Sequence, residues 1–338
     1  ACIVERVLPR NNRALDYNCD PVSSMFALTK AYHIEKKIRN ISLPTEDAVQ
    51  LEEEFGYPQG WIESPFEGAK SCSPLDLLAD NLRGFTGILK DIRRMPDKVE
   101  QAVEALYPMN LKMATPQALT NYSYTGYPLH MPTYMRTSDF ERFFWPTFQR
   151  QCKDLASLGV RTNAFCEDDW MRYLDYLQEL PPESQLMFEY GDPKTIKEKL
   201  GSRHIISGLF PMTALRTCTK DEIIHKTREF LDIMMPGGKF QFHFDKSPIV
   251  LADLNIENFI AVFETVVKYG VYDNAGEASG EKFDKGAYAY SGAPAFTSRR
   301  YTTWEQYQKA HPNTPDAAKD AVMKMEDDIM RRVYSLCL

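Results

Sequence analysis

Thr162-Asn-Ala-Phe-Cys-Glu167, Leu186-Met-Phe-Glu-Tyr190, His204-Ile-Ile-Ser-Gly-Leu-Phe210 and Phe240-Gln-Phe-His-Phe-Asp245 follow one another in the middle of the chain. Each is a short run rich in apolar, β-branched or aromatic residues, long enough for a strand and too short for a helix. Between them, Leu174 and Leu177, then Ile196 and Leu200, then Ile223, Phe230 and Met234 recur near helical spacing. Strand, helix, strand, helix in strict alternation predicts parallel strands joined by crossover helices. Each apolar run ends in polar or special residues: Cys166-Glu167-Asp168, Glu189-Tyr190-Gly191-Asp192, Gly208 to Pro211, and Asp245-Lys246-Ser247. In parallel α/β folds the chemistry sits at the carboxyl ends of strands, so these four clusters are expected to converge.

Upstream, Pro74 opens a helix in which Leu75, Leu78, Leu82 and Phe85 share a face, and Met95-Pro96 breaks it before a second helix through Val99, Val103 and Leu106. A segment His130-Met-Pro-Thr-Tyr-Met-Arg136, read as ending a strand, precedes Ser138-Asp-Phe-Glu141, which has the spacing of a capping box. Thr219-Lys-Asp-Glu222 has the same spacing. Leu43-Pro44-Thr45-Glu46-Asp47 reads as a helix start, and Gly60 to Phe66 as a short strand. The chain then divides into an N-terminal helical or irregular segment (1–58), an α/β body (59–272), and an irregular segment with a C-terminal helix (273–338).

Composition narrows the class. The 338 residues are 43% hydrophobic and 26% charged, which fits a globular protein with ample core rather than a disordered chain. Forty Lys and Arg against 47 Asp and Glu leave a net charge of −7, which disfavours a nucleic-acid partner held by a general basic field. The apolar run Phe259-Ile-Ala-Val-Phe263 is stopped at once by Glu264, far short of the ~20 residues a membrane span needs. Seven scattered cysteines without a CxxC pair point to reduced thiols and a cytoplasmic setting. No glycine-rich nucleotide loop, His-Glu-x-x-His motif or Gly-x-Ser-x-Gly elbow is present.

Four stretches together resemble the uroporphyrinogen decarboxylase-like superfamily: Leu75 through Val99, Phe140-Glu-Arg-Phe-Phe-Trp-Pro146, Phe165-Cys-Glu-Asp-Asp-Trp170 and Phe244-Asp-Lys246. The resemblance covers about residues 60–272 and implies a TIM-like (β/α)8 barrel with an N-terminal helical segment and a C-terminal extension. The last two motifs are similar to the corrinoid-dependent methyltransferases that demethylate aryl methyl ethers. What that implies is transfer of a methyl group from a small aromatic ether to the cobalt(I) of a corrinoid supplied by a partner protein. The arginine signature of the decarboxylating branch is absent, and so is the Asp-x-His-x-x-Gly motif of a chain that binds the corrinoid itself. Porphyrinogen decarboxylation and a non-catalytic binding barrel are the alternatives; a homodimer is left open.

Site residues follow from the strand ends. Glu167 is the expected general acid, giving a proton to the leaving phenolate, while Asp168 and Asp169 are better read as caps of the next helix. Glu189 and Asp245 complete the catalytic candidates. His243 and Asp245 alternate with Phe242 and Phe244, so the two polar residues share one face. Phe165, Trp170, Tyr190 and Phe210, joined by Phe66, Tyr134 and Met212, are expected to wall a flat apolar pocket, and Arg136 to steer an anionic group. Zinc-binding relatives implied by the resemblance use a His-x-Cys pair and a later Cys; here Ala164-Phe165-Cys166 keeps the first Cys but not the His, and the last strand ends Asp245-Lys246-Ser247-Pro248 with no Cys. Zinc is therefore doubtful, with a harder set of Glu167, Glu189 and His243, or no metal, as the remaining readings. His204 starts its strand and is read as a core histidine.

Overall fold

The computed structural model describes residues 68–116, 119–120, 122–247, 254–275, 277, 279–292, 304–315, 317–321 and 323–324. The 1–58 segment and the Gly60–Phe66 strand lie outside these residues. The chain divides into two compact units, Phe66–Ala79 with Phe85–Pro294, and a second made of residues 1–65, 80–84 and 295–338. In the second, helix Trp304–Ala310 carries Tyr307 against both Trp304 and His311.

The first unit is α/β, built among the described residues on a parallel sheet of six strands: β1 (Gly68–Lys70), β2 (Tyr124–Leu129), β3 (Arg161–Asp169), β4 (Gln185–Tyr190), β5 (Ile205–Phe210) and β6 (His243–Phe244). The strands lie side by side in chain order, 1 to 6, with no reversal. Helices α1 (Pro74–Leu77), α2 (Phe85–Arg94), α3 (Pro96–Ala114), α4 (Trp145–Ser157), α5 (Leu174–Leu177), α6 (Pro193–Leu200), α7 (Lys220–Met234) and α8 (Ile256–Tyr269) alternate with them. Their starts are written in the local sequence. Ser73, Asp192 and Asn255 each accept a backbone N–H of the first turn, and Thr219 with Glu222 forms the expected capping box.

The other expected box does not form. Ser138 lies inside a short turn, Thr137–Asp139, that continues into a π turn over Phe140–Phe144. Pro146 has no N–H to return to the Arg142 carbonyl, and the ladder ahead of it widens. Strand β2 also departs from expectation: it ends at Leu129, and residues 131–134 form a 3₁₀ turn, so Arg136 is not at a strand end. Gly126 and Pro128 disguise β2 as a loop. Pro128 is tolerated because β1 pairs only with residues 124–126, leaving that edge of β2 unpaired beyond them.

Strands β2, β3 and β4 alternate in burial, whereas β5 is buried along residues 206–210. Thr125, Tyr127 and Leu129, then Thr162, Ala164 and Cys166, then Leu186 and Phe188 are buried on the helix side, where Tyr127 meets Phe148 of α4. Asn163, Phe165, Glu167, Met187 and Glu189 point to the opposite face and are only half-buried. On β2, β3 and β4 one face packs against helices and the other is only half-buried.

The compact unit runs on past residue 272 because the tail binds the amino ends of the strands. Glu281 N–H donates to Ser202 O (3.0 Å), Lys239 Nζ donates to Glu281 O (2.6 Å), and Glu281 pairs with Arg203. Phe283 lies under the Arg161 guanidinium, 4.7 Å from its ring centre. The last anchor is Asp154, 1% exposed, whose carboxylate accepts Ser291 N–H (2.7 Å), Ser291 Oγ–H (2.8 Å) and Tyr107 Oη–H (2.6 Å). Burial, followed by the Asp154 carboxylate, pushes the Tyr107 phenol far up and keeps it neutral. Asp154→Ala orphans a buried phenol and releases the tail, and is expected to cost about 2–4 kcal/mol, read as a fall in denaturant midpoint at unchanged slope.

Candidate functional site

The carboxyl ends of β2, β3, β4, β5 and β6 are joined by polar contacts into one rim. His130, the residue after β2, places Nε2 3.0 Å from Glu167 Oε2 on β3. Asp168 N–H donates to Glu189 Oε2 of β4 at 2.9 Å, and Lys246, just beyond β6, reaches Glu189 Oε1 at 3.0 Å. Asp245 N–H donates to Phe210 O of β5 (2.8 Å), while its own Oδ1 accepts Met212 N–H (2.9 Å). Glu167, Glu189 and Asp245 thus sit at one end of the sheet, each with a different partner.

Local backbone explains the aim of these groups. The β3–β4 register shifts between Cys166 and Asp169, and Asp168 there takes the left-handed conformation, φ 60°. That turn directs its N–H at Glu189 instead of along the ladder. Asp169 Oδ1 accepts Met171 N–H (2.8 Å), the capping role expected of it. At the end of β5, Gly208 and Leu209 are both left-handed, at φ 82° and 67°. Left-handed non-glycine residues at two strand ends concentrate backbone strain beside the rim.

The pairs differ in electrical character. Burial of Glu189 raises its pKa, but the Asp168 N–H and the Lys246 ammonium outweigh that and hold it below the ordinary carboxylate range. The same contact raises Lys246. Glu189 is therefore a fixed anion. Glu167 is 44% exposed at its side chain and is met by the His130 imidazole rather than by an ammonium.

The aromatic candidates separate by strand parity. Phe165, two residues before Glu167, shares its half-buried face, and Tyr190 is 60% exposed at the end of β4. Phe210 does not wall a pocket: it is fully buried among Phe230 of α7, Phe242 and Phe244. Trp170 is also fully buried, packed on Phe140, Phe144 and Tyr173, with Nε1–H donating to Glu167 O (3.1 Å). Both rings fell on the helix side, where apolar area is removed from water most completely. Tyr134 is exposed and edges onto Phe85, Arg136 is exposed, Met212 is buried, and Phe66 lies outside the described residues.

Metal ligands do not gather. Among the described residues, no three His, Cys, Asp or Glu side chains are grouped to hold an ion. Glu167 is paired with His130, Glu189 with Lys246, and His243 Nδ1 lies 2.7 Å from Phe244 O, so the set Glu167, Glu189 and His243 does not form. Cys166 lies on the opposite face of β3 from Glu167, and burial pushes its thiol far above the ordinary range. The residues present do not fit a zinc–thiolate site. His204 is fully buried at the far end of β5, and burial, followed by Arg203, drives its pKa down to about 3. It is a core histidine, as expected.

His130 is the residue that sequence reasoning missed. It follows a strand hidden by Gly126 and Pro128, so no strand end announced it. The visible signal was its position at the head of the quoted 130–136 segment.

Among the described residues, no helix is long and apolar enough to cross a membrane. No protein-family model matches the sequence, and no curated protein matches it. Among solved structures, a methyltransferase from Methanosarcina mazei superimposes with a TM-score of 0.45 at 16% identity, covering 66% of this chain and 63% of that one. The present chain thus spans less than two thirds of that protein's length.

Proposed function

We propose that the protein moves the methyl group of a small aryl methyl ether to the cobalt(I) of a corrinoid carried by a separate protein, which is a co-substrate and not a resident group. The observation that carries this reading is the His130–Glu167 pair, 3.0 Å apart on the open face of the sheet beside Phe165. The sequence motifs described above support the same chemistry. In the reaction a carbon–cobalt bond forms and the carbon–oxygen bond breaks, with its electron pair passing to oxygen while cobalt(I) becomes methyl-cobalt(III). Glu167 delivers a proton to that oxygen, so that a phenol leaves rather than a phenolate.

The remaining residues have supporting parts. Glu189, held anionic by Lys246, fixes the Asp168 turn, and Asp245 fixes the start of the loop after β5 through Met212 N–H. Phe165 and Tyr190 offer faces for an arene. Tyr134 and Arg136, both exposed, are where an anionic substituent or the corrinoid partner meets the rim. We read the sheet as part of a (β/α)8 barrel, because six parallel strands in unbroken order with helices against one face curl toward closure. Free thiols at Cys72, Cys152, Cys166 and Cys218 support a reducing, cytoplasmic setting.

The test uses the full chain with a guaiacol-type ether and a cobalt(I) corrinoid, and quantifies the phenol released. Phenol formation that requires both the protein and cobalt(I) supports the reading. Turnover of a porphyrinogen in a parallel assay, or ether binding without phenol, would replace it with decarboxylation or with a binding role.

A further inference from the structure

The loop carrying His130 is held from two sides by residues that the chemistry above does not use. On one side is Asp76, the third residue of α1, fully buried. Its Oδ1 accepts Met131 N–H at 2.8 Å and its Oδ2 accepts the Ser73 hydroxyl at 2.9 Å. On the other side is Arg172, five residues beyond Glu167. Its Nη2 lies 2.9 Å from Pro132 O, 3.1 Å from Thr133 O and 2.8 Å from Met135 O. Tyr173 adds a hydrogen bond from Oη to Pro132 O at 3.0 Å, and the Arg172 guanidinium lies over its ring, 4.7 Å from the centre.

Three carbonyls converging on one guanidinium is an uncommon use of an exposed arginine. A surface arginine ordinarily keeps its donors for carboxylates or water. Here it clasps one turn of backbone, residues 132–135, against the segment that follows β3. The turn begins two residues after His130, and the clasp comes from the same segment that bears Glu167. The two groups of the pair are therefore tied to each other twice, through their side chains and through the Arg172 clasp. The buried carboxylate of Asp76 fixes the backbone immediately after His130 from the α1 side.

We propose that His130 orients the Glu167 carboxyl for proton delivery, and that Asp76 and Arg172 are positioning residues that hold His130 in place. The proposal rests on the methyl-transfer reading for its kinetic consequence, while its geometric part stands on the contacts alone. His130 keeps one Glu167 oxygen occupied at Oε2, which leaves Oε1 to face the departing oxygen. A misplacement of about 1 Å at such a group is worth up to roughly 10²-fold in rate.

The experiment has two arms on the full chain. In the first, ring nitrogen resonances of His130, assigned through His130→Gln, are compared between the parent and Arg172→Ala. Altered ring shifts in Arg172→Ala, restored by millimolar guanidinium but not by ammonium at equal ionic strength, are expected; the exposed Arg172 site admits the small cation. Unchanged ring shifts would overturn the positioning role. In the second, demethylation kinetics of both variants are expected to show kcat lowered on the order of 10-fold with KM within about twofold, and guanidinium restoring kcat of Arg172→Ala only. A parent-like kcat in His130→Gln would overturn the proposal. Absence of turnover by the parent protein would instead strike the methyl-transfer reading, and the ring resonances would still decide the positioning claim. Arg172→Lys, which retains the charge without the fork, guards against a folding defect and is expected to fall between the parent and the alanine variant.

Discussion

Glu167→Gln is expected to lower single-turnover methyl transfer by about 10²-fold or more, with ether affinity and thermal stability nearly unchanged. A glutamine keeps the size of the side chain and can still meet His130, but it has no transferable proton. General acid catalysis typically contributes about 10²–10⁴, which sets the scale. Stability should hold because the Glu167 side chain is 44% exposed, and an exposed pair contributes little to folding, about 0–1 kcal/mol. The check is stopped-flow with the cobalt(I) corrinoid in excess, alongside a melting curve. A rate within a few-fold of the parent would leave Glu167 with a merely structural part at the end of β3.

The largest stability effect is expected at Gly208. Its φ of 82° is in the left-handed region, and a Cβ built there would lie 2.2 Å from Phe188 O and 2.9 Å from Phe188 N. Both are backbone atoms of the neighbouring strand β4, so no side chain can swing away to make room. Gly208→Ala must therefore strain the backbone and push apart a central pair of strands, at about 3–5 kcal/mol. Gly237 is the matched control: its φ is 76°, but nothing lies within 4 Å of the position a Cβ would take. Gly237→Ala should cost only the conformational part, about 1–2 kcal/mol. Equal losses in urea unfolding for the two variants would show that the strand contact contributes nothing. Because Gly208 and Leu209 lead into the rim, a surviving Gly208→Ala should also transfer methyl groups more slowly.

These two positions show what was legible in the residues and what was not. Glu167 could be found because an apolar run ends there in charge, and the same signal marked Glu189 and Asp245. Parallel strands keep their chemistry at such ends, and all three residues are at one end of the sheet. Parity along a strand is a second signal. Phe165 and Glu167 are two apart and share a face, so Cys166 between them had to lie on the other, away from any site Glu167 could join. Phe210 and Trp170 lie in the core and not in a pocket wall; by composition an aromatic near a strand end serves either equally well. Only the register of Phe210 with Phe244, and the ring stack around Phe140, decides for the core.

Strand β2 was harder to see. Glycine and proline usually break strands, and the exemption of Pro128 depends on how short β1 is, a fact about a partner some sixty residues away. With β2 hidden, His130 had no strand end to mark it. The clasp of Arg172 on residues 132–135 was equally out of reach, since a guanidinium that binds carbonyls leaves no trace in charge patterning.

In the proposed reaction the methyl group itself passes from ether oxygen to cobalt. The most direct measurement is a single turnover of the full chain with an aryl ether carrying a carbon-13 methyl group and a stoichiometric cobalt(I) corrinoid, followed by carbon NMR. A labelled methyl-cobalt resonance and one equivalent of phenol are expected, both appearing more slowly, and to the same degree, in Glu167→Gln. Labelled methanol in place of methyl-cobalt, or intact ether after many minutes with the corrinoid still reduced, would contradict this transfer.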